Sequence, residues 1–146
     1  MPETKYEGLK IENQLCFPLY ACSRAIIKQY TPILDELDLT YTQYITMMVL
    51  WEKKELNVKS LGQSLYLDSG TLTPLLKKLE KKGLIQRRRS AEDERNLNVT
   101  ITEAGEALRE KAIDIPGRIE ARIHLEPEET RVLYDLLYKL LRESEE

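Results

Sequence analysis

Few residues of this chain suit a metal centre or a hydrolytic site. The 146 residues include one His, one Trp, one Phe and two Cys. With His124 alone, the chain has no Ser/His/Asp set, and Cys16 and Cys22 do not complete any metal-ligand spacing with it. A glycine-rich loop of the kind that binds phosphate groups is also missing. We therefore expect no metal site, and the single His argues against a Ser/His/Asp hydrolase.

Long apolar segments are missing too. No hydrophobic run approaches about 18 residues, so we expect no membrane-spanning helix and no membrane partner. The polar residues 1–14 lack the apolar centre of a signal peptide. These features predict a cytoplasmic protein with a single domain, 1–146, whose two cysteines are thiols rather than a structural disulfide.

Positive charge is concentrated in one part of the chain. The formal net charge is −3, yet the residues from Lys77 to Arg89 include seven basic side chains and one acidic side chain. A solvated helix often carries several lysines, but here the lysines lead into three successive arginines in an otherwise acidic chain. Because cationic side chains bind duplex DNA by displacing its counterions, we interpret this segment as part of a DNA-binding surface.

The residues before and within this segment have the pattern of a helix-turn-helix. Apolar spacing predicts one helix over Val58–Leu67 and a second over Thr71–Lys82, with leucines on the buried side. The polar turn Asp68–Ser69–Gly70 joins the two helices, and Pro74 is expected in the first turn of the second. Gly83 is expected to end the second helix as a left-handed cap.

A two-stranded ribbon is predicted next, over Ile85–Arg89 and Leu97–Thr102, where apolar and polar residues alternate. The fold class is therefore mainly α with a small β-ribbon, and residues 40–102 form a winged helix-turn-helix. The flanking regions 1–37 and 103–146 are predicted to be helical. Because the last helix carries a broad apolar stripe, we expect both flanking regions to form dimerisation helices in a homodimer.

Two prolines bear on the first helical region. Pro18 lies inside the helix predicted over Glu12–Tyr30, so this helix either begins later or bends just after Cys16. Thr31–Pro32 predicts a helix boundary, because the residue before a proline avoids the helical conformation. A short helix is then expected over 33–37.

Two threonines are candidate helix caps. Thr40 is followed three residues later by Gln43, which is the pattern of a capping box. The helix that Thr40 begins is expected to bury Met48. Thr102 is expected to cap the helix that follows the ribbon.

The start of the second helix of the helix-turn-helix suits contact with DNA. Hydroxyls and unpaired backbone N–H groups at a helix start can bind phosphates and base edges. In a dimer, two such helices lie about 34–36 Å apart, one duplex turn, and would bind an inverted-repeat operator in double-stranded DNA. The candidate DNA-binding residues of the helix and ribbon are Ser69, Gly70, Thr71, Thr73, Pro74, Lys77, Lys78, Arg87 and Arg95.

Several strings make the chain resemble the MarR family of winged-helix repressors. They are LDSGTLTPLLKKLEKKGLI at 67–85, DER in the ribbon loop at 93–95 and TEAG at 102–105. The chain resembles the organic-hydroperoxide-sensing, OhrR-like branch more narrowly. That resemblance is carried by ENQLCF…LY at 12–20, YLDSGTLTP at 66–74 and DIPG at 114–117.

The resemblance implies a function and a set of residues. In that branch one cysteine near the start of the first helix reacts with organic hydroperoxides, and the matching residue is Cys16. Tyrosines matching Tyr20 and Tyr30 are implied to hydrogen-bond its thiolate across the dimer interface. An arginine matching Arg95 is implied to enter the minor groove, held by the acidic residue matching Asp93. Oxidation to a sulfenic acid and capping by a low-molecular-weight thiol would release the operator. No cofactor is implied.

The two cysteines leave alternatives open. Cys16 by itself also fits a small buried hydrophobic residue, and the tyrosines also fit ordinary interface aromatics. Cys22 lies about 9 Å further along the helix, beyond the Cα separation of about 7 Å that a disulfide spans, unless Pro18 unwinds the helix. A cross-subunit disulfide stays open. Since the C-terminal region has no cysteine, the chain resembles the one-cysteine type of the branch.

Two other functions compete with the peroxide-sensing repressor. A MarR-type repressor can instead be released by a small phenolic or acidic ligand. A thiol peroxidase that uses Cys16 is a further alternative, but no acidic residue or arginine lies beside Cys16 in the sequence and the ribbon would have no role. An enzyme is therefore the least favoured of the three.

Overall fold

The computed structural model describes residues 4–93 and 95–144. Its described part is mainly helical with a small antiparallel sheet, which confirms the predicted fold class. Two 3-10 turns, Thr4–Leu9 and Ile11–Asn13, precede the first helix. The elements are α1 (Cys16–Asp35), α2 (Tyr41–Lys53), β1 (Glu55–Asn57), α3 (Val58–Leu65), α4 (Ser69–Lys81), β2 (Ile85–Arg89), β3 (Leu97–Ile101), α5 (Glu103–Ala112), α6 (Ile115–Glu120) and α7 (Pro127–Ser144).

The chain divides into two compact units, residues 1–114 and 115–146. The expectation of one domain over 1–146 stays a prediction. Among the described helices, none combines the length and the apolar character that crossing a bilayer requires.

Helix α1 begins later and ends later than its sequence pattern predicts. It begins at Cys16, so Pro18 lies in the first turn, where a missing N–H removes no helical hydrogen bond. The alternative of a later start is therefore confirmed. The boundary at Thr31–Pro32 is wrong, because the helix continues through Pro32 to Asp35. Burial of Ile33 and Leu34, 0% and 1% exposed, stabilises the turn that the proline weakens.

Helix α2 begins as predicted. Thr40 Oγ1 accepts a hydrogen bond from Gln43 N at 3.3 Å, and Gln43 Oε1 accepts one from Thr40 N at 3.1 Å. This capping box is complete. The expected burial of Met48 is wrong: Met48 is 43% exposed, whereas Met47 is fully buried on the same face as Tyr44 and Trp51. The buried residues of α2 form a stripe centred on Met47, and Met48 lies outside that stripe because it is about 100° further round the helix.

The helix-turn-helix is formed by α3 and α4, and its turn lies earlier than predicted. Tyr66 ends α3 in the left-handed conformation with φ of 57°. Asp68 is the N-cap of α4, and its Oδ1 accepts a hydrogen bond from Thr71 N at 2.7 Å. Ser69 and Gly70 therefore belong to the first turn of α4 rather than to the connecting turn. Pro74 consequently lies beyond the first turn, so that prediction is also wrong.

The end of α4 and the ribbon are close to prediction. Gly83 has a φ of 79°, which confirms the left-handed cap. Its N–H donates to Glu80 O, and the N–H of Leu84 donates to Leu79 O, as in a Schellman motif. Strands β2 and β3 pair antiparallel over their full lengths, and Thr102 lies outside β3 as the confirmed N-cap of α5.

A third strand, β1, was not predicted. Leu56 of β1 is in register with Val99 of β3, so β3 is the central strand of the sheet. The three residues of β1 include Glu55 and Asn57, two residue types that are depleted in strands, so the local sequence does not indicate this strand.

The core of the first unit lies under α4. The predicted buried face of that helix is confirmed. The apolar residues that are at most 1% exposed in this unit are Ile33, Leu34, Met47, Leu50, Leu61, Leu72, Leu76, Leu79, Ile85 and Val99. Because helices α1 to α4 and both ribbon strands contribute to it, this core fixes α4 and the ribbon on one body.

Candidate nucleic-acid interface and thiol site

The first turns of α4 present polar groups to solvent. Leucines fill the buried face, and the N-cap Asp68 holds the first turn. The backbone N–H of Thr71 lowers the pKa of the Asp68 carboxyl, so this cap is charged at neutral pH. The predicted DNA-binding residues of this helix are all exposed: Ser69, Gly70, Thr71, Thr73, Pro74, Lys77 and Lys78.

The loop of the ribbon brings together two of the predicted residues. Asp93 Oδ1 accepts a hydrogen bond from Arg95 N at 3.0 Å and lies 3.2 Å from Arg95 Nε. The Arg95 side chain is nevertheless 90% exposed. Hydrogen bonds from Ser90 N to Asn96 O and from Asn96 N to Asp93 O close the loop. The guanidinium is therefore orientated by Asp93 while still accessible from outside.

Arg87 is placed differently from the other predicted cations. Its backbone N–H and its guanidinium both donate to the carboxylate of Glu80 on α4. The Arg87 side chain is only 20% exposed. The charge pattern alone did not identify Glu80 as the partner of Arg87. The two residues lie on different elements, so neither helical nor strand periodicity relates them.

The thiol of Cys16 lies at the first position of α1 and is exposed. Cys22 is also an exposed free thiol. Because α1 is regular from Cys16 onward, the two Cα atoms are about 9 Å apart along the helix axis, too far for an intrahelical disulfide. Pro18 does not unwind the helix, so that route to a disulfide is removed.

The two predicted tyrosines occupy different positions on α1. Tyr20 lies one turn after Cys16 and is 57% exposed, and its hydroxyl accepts a hydrogen bond from Arg24 at 3.0 Å. Tyr30 lies about 21 Å along the helix from Cys16, so the same copy of the chain cannot bring them together. A contact between Cys16 and Tyr30 requires a second copy.

Tyr30 belongs to an aromatic cluster that the sequence did not reveal. Its ring centroid lies 4.9 Å from that of Tyr41 and 5.9 Å from that of Tyr44. Burial, and then the neighbouring Tyr41, raise the pKa of Tyr30. The Tyr30 hydroxyl therefore keeps its proton at neutral pH and can donate a hydrogen bond. Tyr41 was missed because it lies on α2, outside the periodicity of α1.

Apolar side chains are exposed on α1 and, in the second unit, on α7. An isolated soluble chain rarely exposes so many large apolar groups, which indicates that these faces are covered by another surface. The exposed residues are Leu15, Phe17, Leu19, Ile26 and Ile27 at and near α1, and Val132, Leu133, Leu136 and Leu140 on α7.

Comparison with known proteins identifies the family. The model of the transcriptional regulators SarA/Rot matches residues 28–112. The organic hydroperoxide resistance transcriptional regulator of Bacillus subtilis is 52% identical over 139 residues, which cover 95% of each chain. The chain belongs to the MarR-type winged-helix transcriptional regulators. This membership confirms the resemblance that the strings at 12–20 and 66–74 indicated.

Solved structures of AbfR from Staphylococcus epidermidis have the same fold as this MarR-type regulator. Overoxidized AbfR bound to DNA is 34% identical, with a TM-score of 0.78 over 95% of this chain and 98% of that chain. Reduced AbfR bound to DNA is also 34% identical, with a TM-score of 0.78 over 97% and 99% of the two chains.

Proposed function

We propose that this MarR-type regulator is a homodimeric repressor that binds an inverted-repeat operator and releases it after Cys16 reacts with an organic hydroperoxide. The observation that carries the proposal is the exposed thiol of Cys16 at the first position of α1. It is supported by the 52% identity to an organic hydroperoxide resistance regulator. The DNA-bound forms of AbfR support operator binding.

The DNA-binding part of the proposal uses α4 and the ribbon. Side chains at the start of α4 would enter the major groove, where hydroxyls and cationic groups contact base edges and phosphates. Arg95, held by Asp93, would enter the minor groove. The proposed contacts on α4 are Ser69, Gly70, Thr71, Thr73, Pro74, Lys77 and Lys78.

The sensing part begins with the Cys16 thiolate. Its sulfur attacks one peroxide oxygen, the O–O bond breaks, and the alkoxide leaves as an alcohol after taking up a proton. The sulfur is thereby oxidised to a sulfenic acid, which condenses with a low-molecular-weight thiol to a mixed disulfide and water. Before oxidation, Tyr20 and Tyr30 of the other copy would donate hydrogen bonds to the thiolate.

The mixed disulfide is the proposed releasing form. AbfR is bound to DNA both when reduced and when overoxidized, so overoxidation of that protein does not by itself prevent DNA binding. In this chain, the bulk of a second thiol at Cys16 would displace the tyrosines and alter the dimer. We expect the two recognition helices, which are α4 of each copy, to move out of register with the duplex.

The test compares operator release in three proteins: wild type, Cys16→Ser and Cys22→Ser. The operator is a duplex selected by the wild-type protein from a random-sequence library, and binding is followed by fluorescence anisotropy. Cumene hydroperoxide with free cysteine should weaken binding at least tenfold in wild type and in Cys22→Ser. Cys16→Ser should stay bound.

Mass spectrometry of the same samples assigns the modified cysteine. Release that persists in Cys16→Ser would refute the proposal. So would firm binding by wild-type protein that carries a mixed disulfide at Cys16. Release by a phenolic acid in the absence of any oxidant would support the ligand-released repressor instead.

A further inference from the structure

Glu80 connects the recognition helix to the ribbon. Its Oε2 accepts a hydrogen bond from the backbone N–H of Arg87 at 2.9 Å. Its Oε1 accepts two more from the Arg87 guanidinium, at 3.2 Å from Nε and 3.0 Å from Nη2. Glu80 lies in the last turns of α4 and Arg87 at the centre of β2. Three hydrogen bonds therefore join these two elements through one carboxylate.

The negative charge of Glu80 is unexpected on a DNA-binding surface. Glu80 is the one acidic side chain among seven basic ones between Lys77 and Arg89. A carboxylate close to phosphates weakens DNA binding by electrostatic repulsion, so a purely electrostatic view predicts tighter binding after its removal. The charge on Glu80 is maintained because the backbone N–H and guanidinium of Arg87 lower the pKa of its carboxyl.

We propose that Glu80 and Arg87 are positioning residues for DNA binding, which hold the ribbon at a fixed distance and angle from α4. On this view Arg87 does not contact DNA, because its guanidinium is hydrogen-bonded to Glu80. The inference rests on the proposed DNA-binding function and refines it. The major-groove helix and the minor-groove Arg95 can act on the same duplex only if their separation matches that of the grooves.

The hydrogen-bond geometry supports a positioning role for Glu80 and Arg87. The backbone N–H of Arg87 fixes the strand itself, and the planar guanidinium binds the same carboxylate through two donors. A lysine at position 87 has one compact ammonium and cannot reproduce the two-donor contact. Leu79 of α4 and Ile85 of β2 are buried in the core, whereas the side chains of Arg87 and Glu80 are 20% and 36% exposed.

The decisive experiment compares Glu80→Gln with Glu92→Gln on the library-selected duplex. Both changes remove one negative charge from the DNA-binding region. Glu92 lies in the exposed ribbon loop and its backbone N–H donates to Ser90 Oγ, a bond that the substitution leaves in place. We expect Glu92→Gln to bind as tightly as wild type or up to about tenfold more tightly. Glu80→Gln should bind at least tenfold more weakly.

Footprinting separates positioning from a general loss of structure. In Glu80→Gln, hydroxyl-radical protection should be lost at the outer minor-groove positions and kept where α4 binds. A variant that is merely less folded loses protection everywhere in proportion. Circular dichroism and a urea titration establish that the variants are folded under the binding conditions.

Arg87→Lys is the second variant. If Arg87 acts through Glu80, Arg87→Lys binds at least tenfold more weakly than wild type, with an unchanged slope of log K against log salt concentration. A phosphate contact by Arg87 would instead be preserved by lysine, and Arg87→Ala would lower that slope by about one.

The inference is overturned if Glu80→Gln binds as well as Glu92→Gln, or if Arg87→Lys binds like wild type. Both results leave the proposed function intact, provided that wild type binds the duplex and releases it with peroxide. Failure of wild type to bind any selected duplex would refute the proposed function itself.

Discussion

Gly105 allows four segments of the first unit to meet. A Cβ at this position would lie 2.3 Å from Leu84 O and 2.7 Å from Ile101 Cγ1, closer than real Cβ atoms lie to such neighbours. The Gly105 carbonyl accepts a hydrogen bond from the indole N–H of Trp51 at 2.8 Å, and its N–H donates to Thr102 Oγ1. Close packing therefore explains the glycine of the TEAG string, which also carries the family resemblance.

Gly105→Ala should destabilise the protein, because the backbone at Leu84 cannot move without disturbing β2. Overpacking of this kind costs about 1–3 kcal/mol. The matched control is Gly117→Ala in α6, where a Cβ would meet no atom within 4 Å. There the substitution should be neutral or stabilise the helix by about 0.5–1 kcal/mol. Equilibrium urea unfolding measures both, and equal midpoints for the two variants would contradict the packing account.

Whole elements were predictable where a local chemical pattern determines them. The capping box at Thr40 and the glycine cap at Gly83 involve residues close in sequence, so both could be predicted. The leucines of α4 were predictable from helical periodicity. Pro32 was misjudged because burial of the residues after it outweighs a local preference. Strand β1 was missed because its partner β3 lies about forty residues away in sequence.

The residues of the candidate site could be predicted from the sequence better than the contacts between them. Exposure of the polar side chains on α4 follows from the leucine periodicity, since those residues lie on the opposite face. The Glu80 contact of Arg87 and the Tyr41 contact of Tyr30 join different elements. No spacing rule predicts such contacts, which depend on how the elements pack.

The end of α4 is bonded to the corner between α1 and α2. Lys82 Nζ donates to the carbonyl oxygen of Asp38 and, at 3.0 Å, to Oε1 of Gln43. Gln43 is only 3% exposed and belongs to the capping box of α2. This lysine therefore stabilises the packing of the recognition helix, although the sequence places it in the cationic segment.

Lys82→Met should lower the free energy of unfolding by about 1.5–3 kcal/mol, the range for hydrogen bonds to a charged group. It should leave the salt dependence of DNA binding unchanged. Lys78→Met is the matched control on the exposed face. It should change stability by no more than about 0.5 kcal/mol and lower the salt slope by about one. Urea unfolding and anisotropy titrations at several salt concentrations distinguish the two lysines; the reverse pattern would show that their roles are exchanged.

At the scale of the whole molecule, each of the two units has a helix with exposed apolar residues. On α7, Leu136 is 53% exposed and Leu140 is 48% exposed. On α1, Leu19 and Phe17 are exposed beside the thiol of Cys16. A homodimer would cover such faces, and the proposed sensing chemistry requires one, because Tyr30 cannot reach Cys16 in its own copy.

Leu136→Glu should shift the protein toward monomers, because a carboxylate would replace an apolar side chain in the proposed interface. Thr130→Glu adds the same charge at a polar position in the first turn of α7 and should stay dimeric. Sedimentation equilibrium measures the dissociation constant, which we expect to rise at least tenfold in Leu136→Glu. Operator affinity should fall as the dimer dissociates. An unchanged dissociation constant would place the dimer interface away from this face of α7.

The hydrogen bond between Trp51 and Gly105 has a practical outcome. Trp51 is the one indole in the sequence, is 7% exposed and lies edge-on to Tyr44. All tryptophan emission from the unlabelled protein thus originates at the junction of α2 and α5. A shift in wavelength during peroxide treatment would report rearrangement at that junction in real time, without any attached dye.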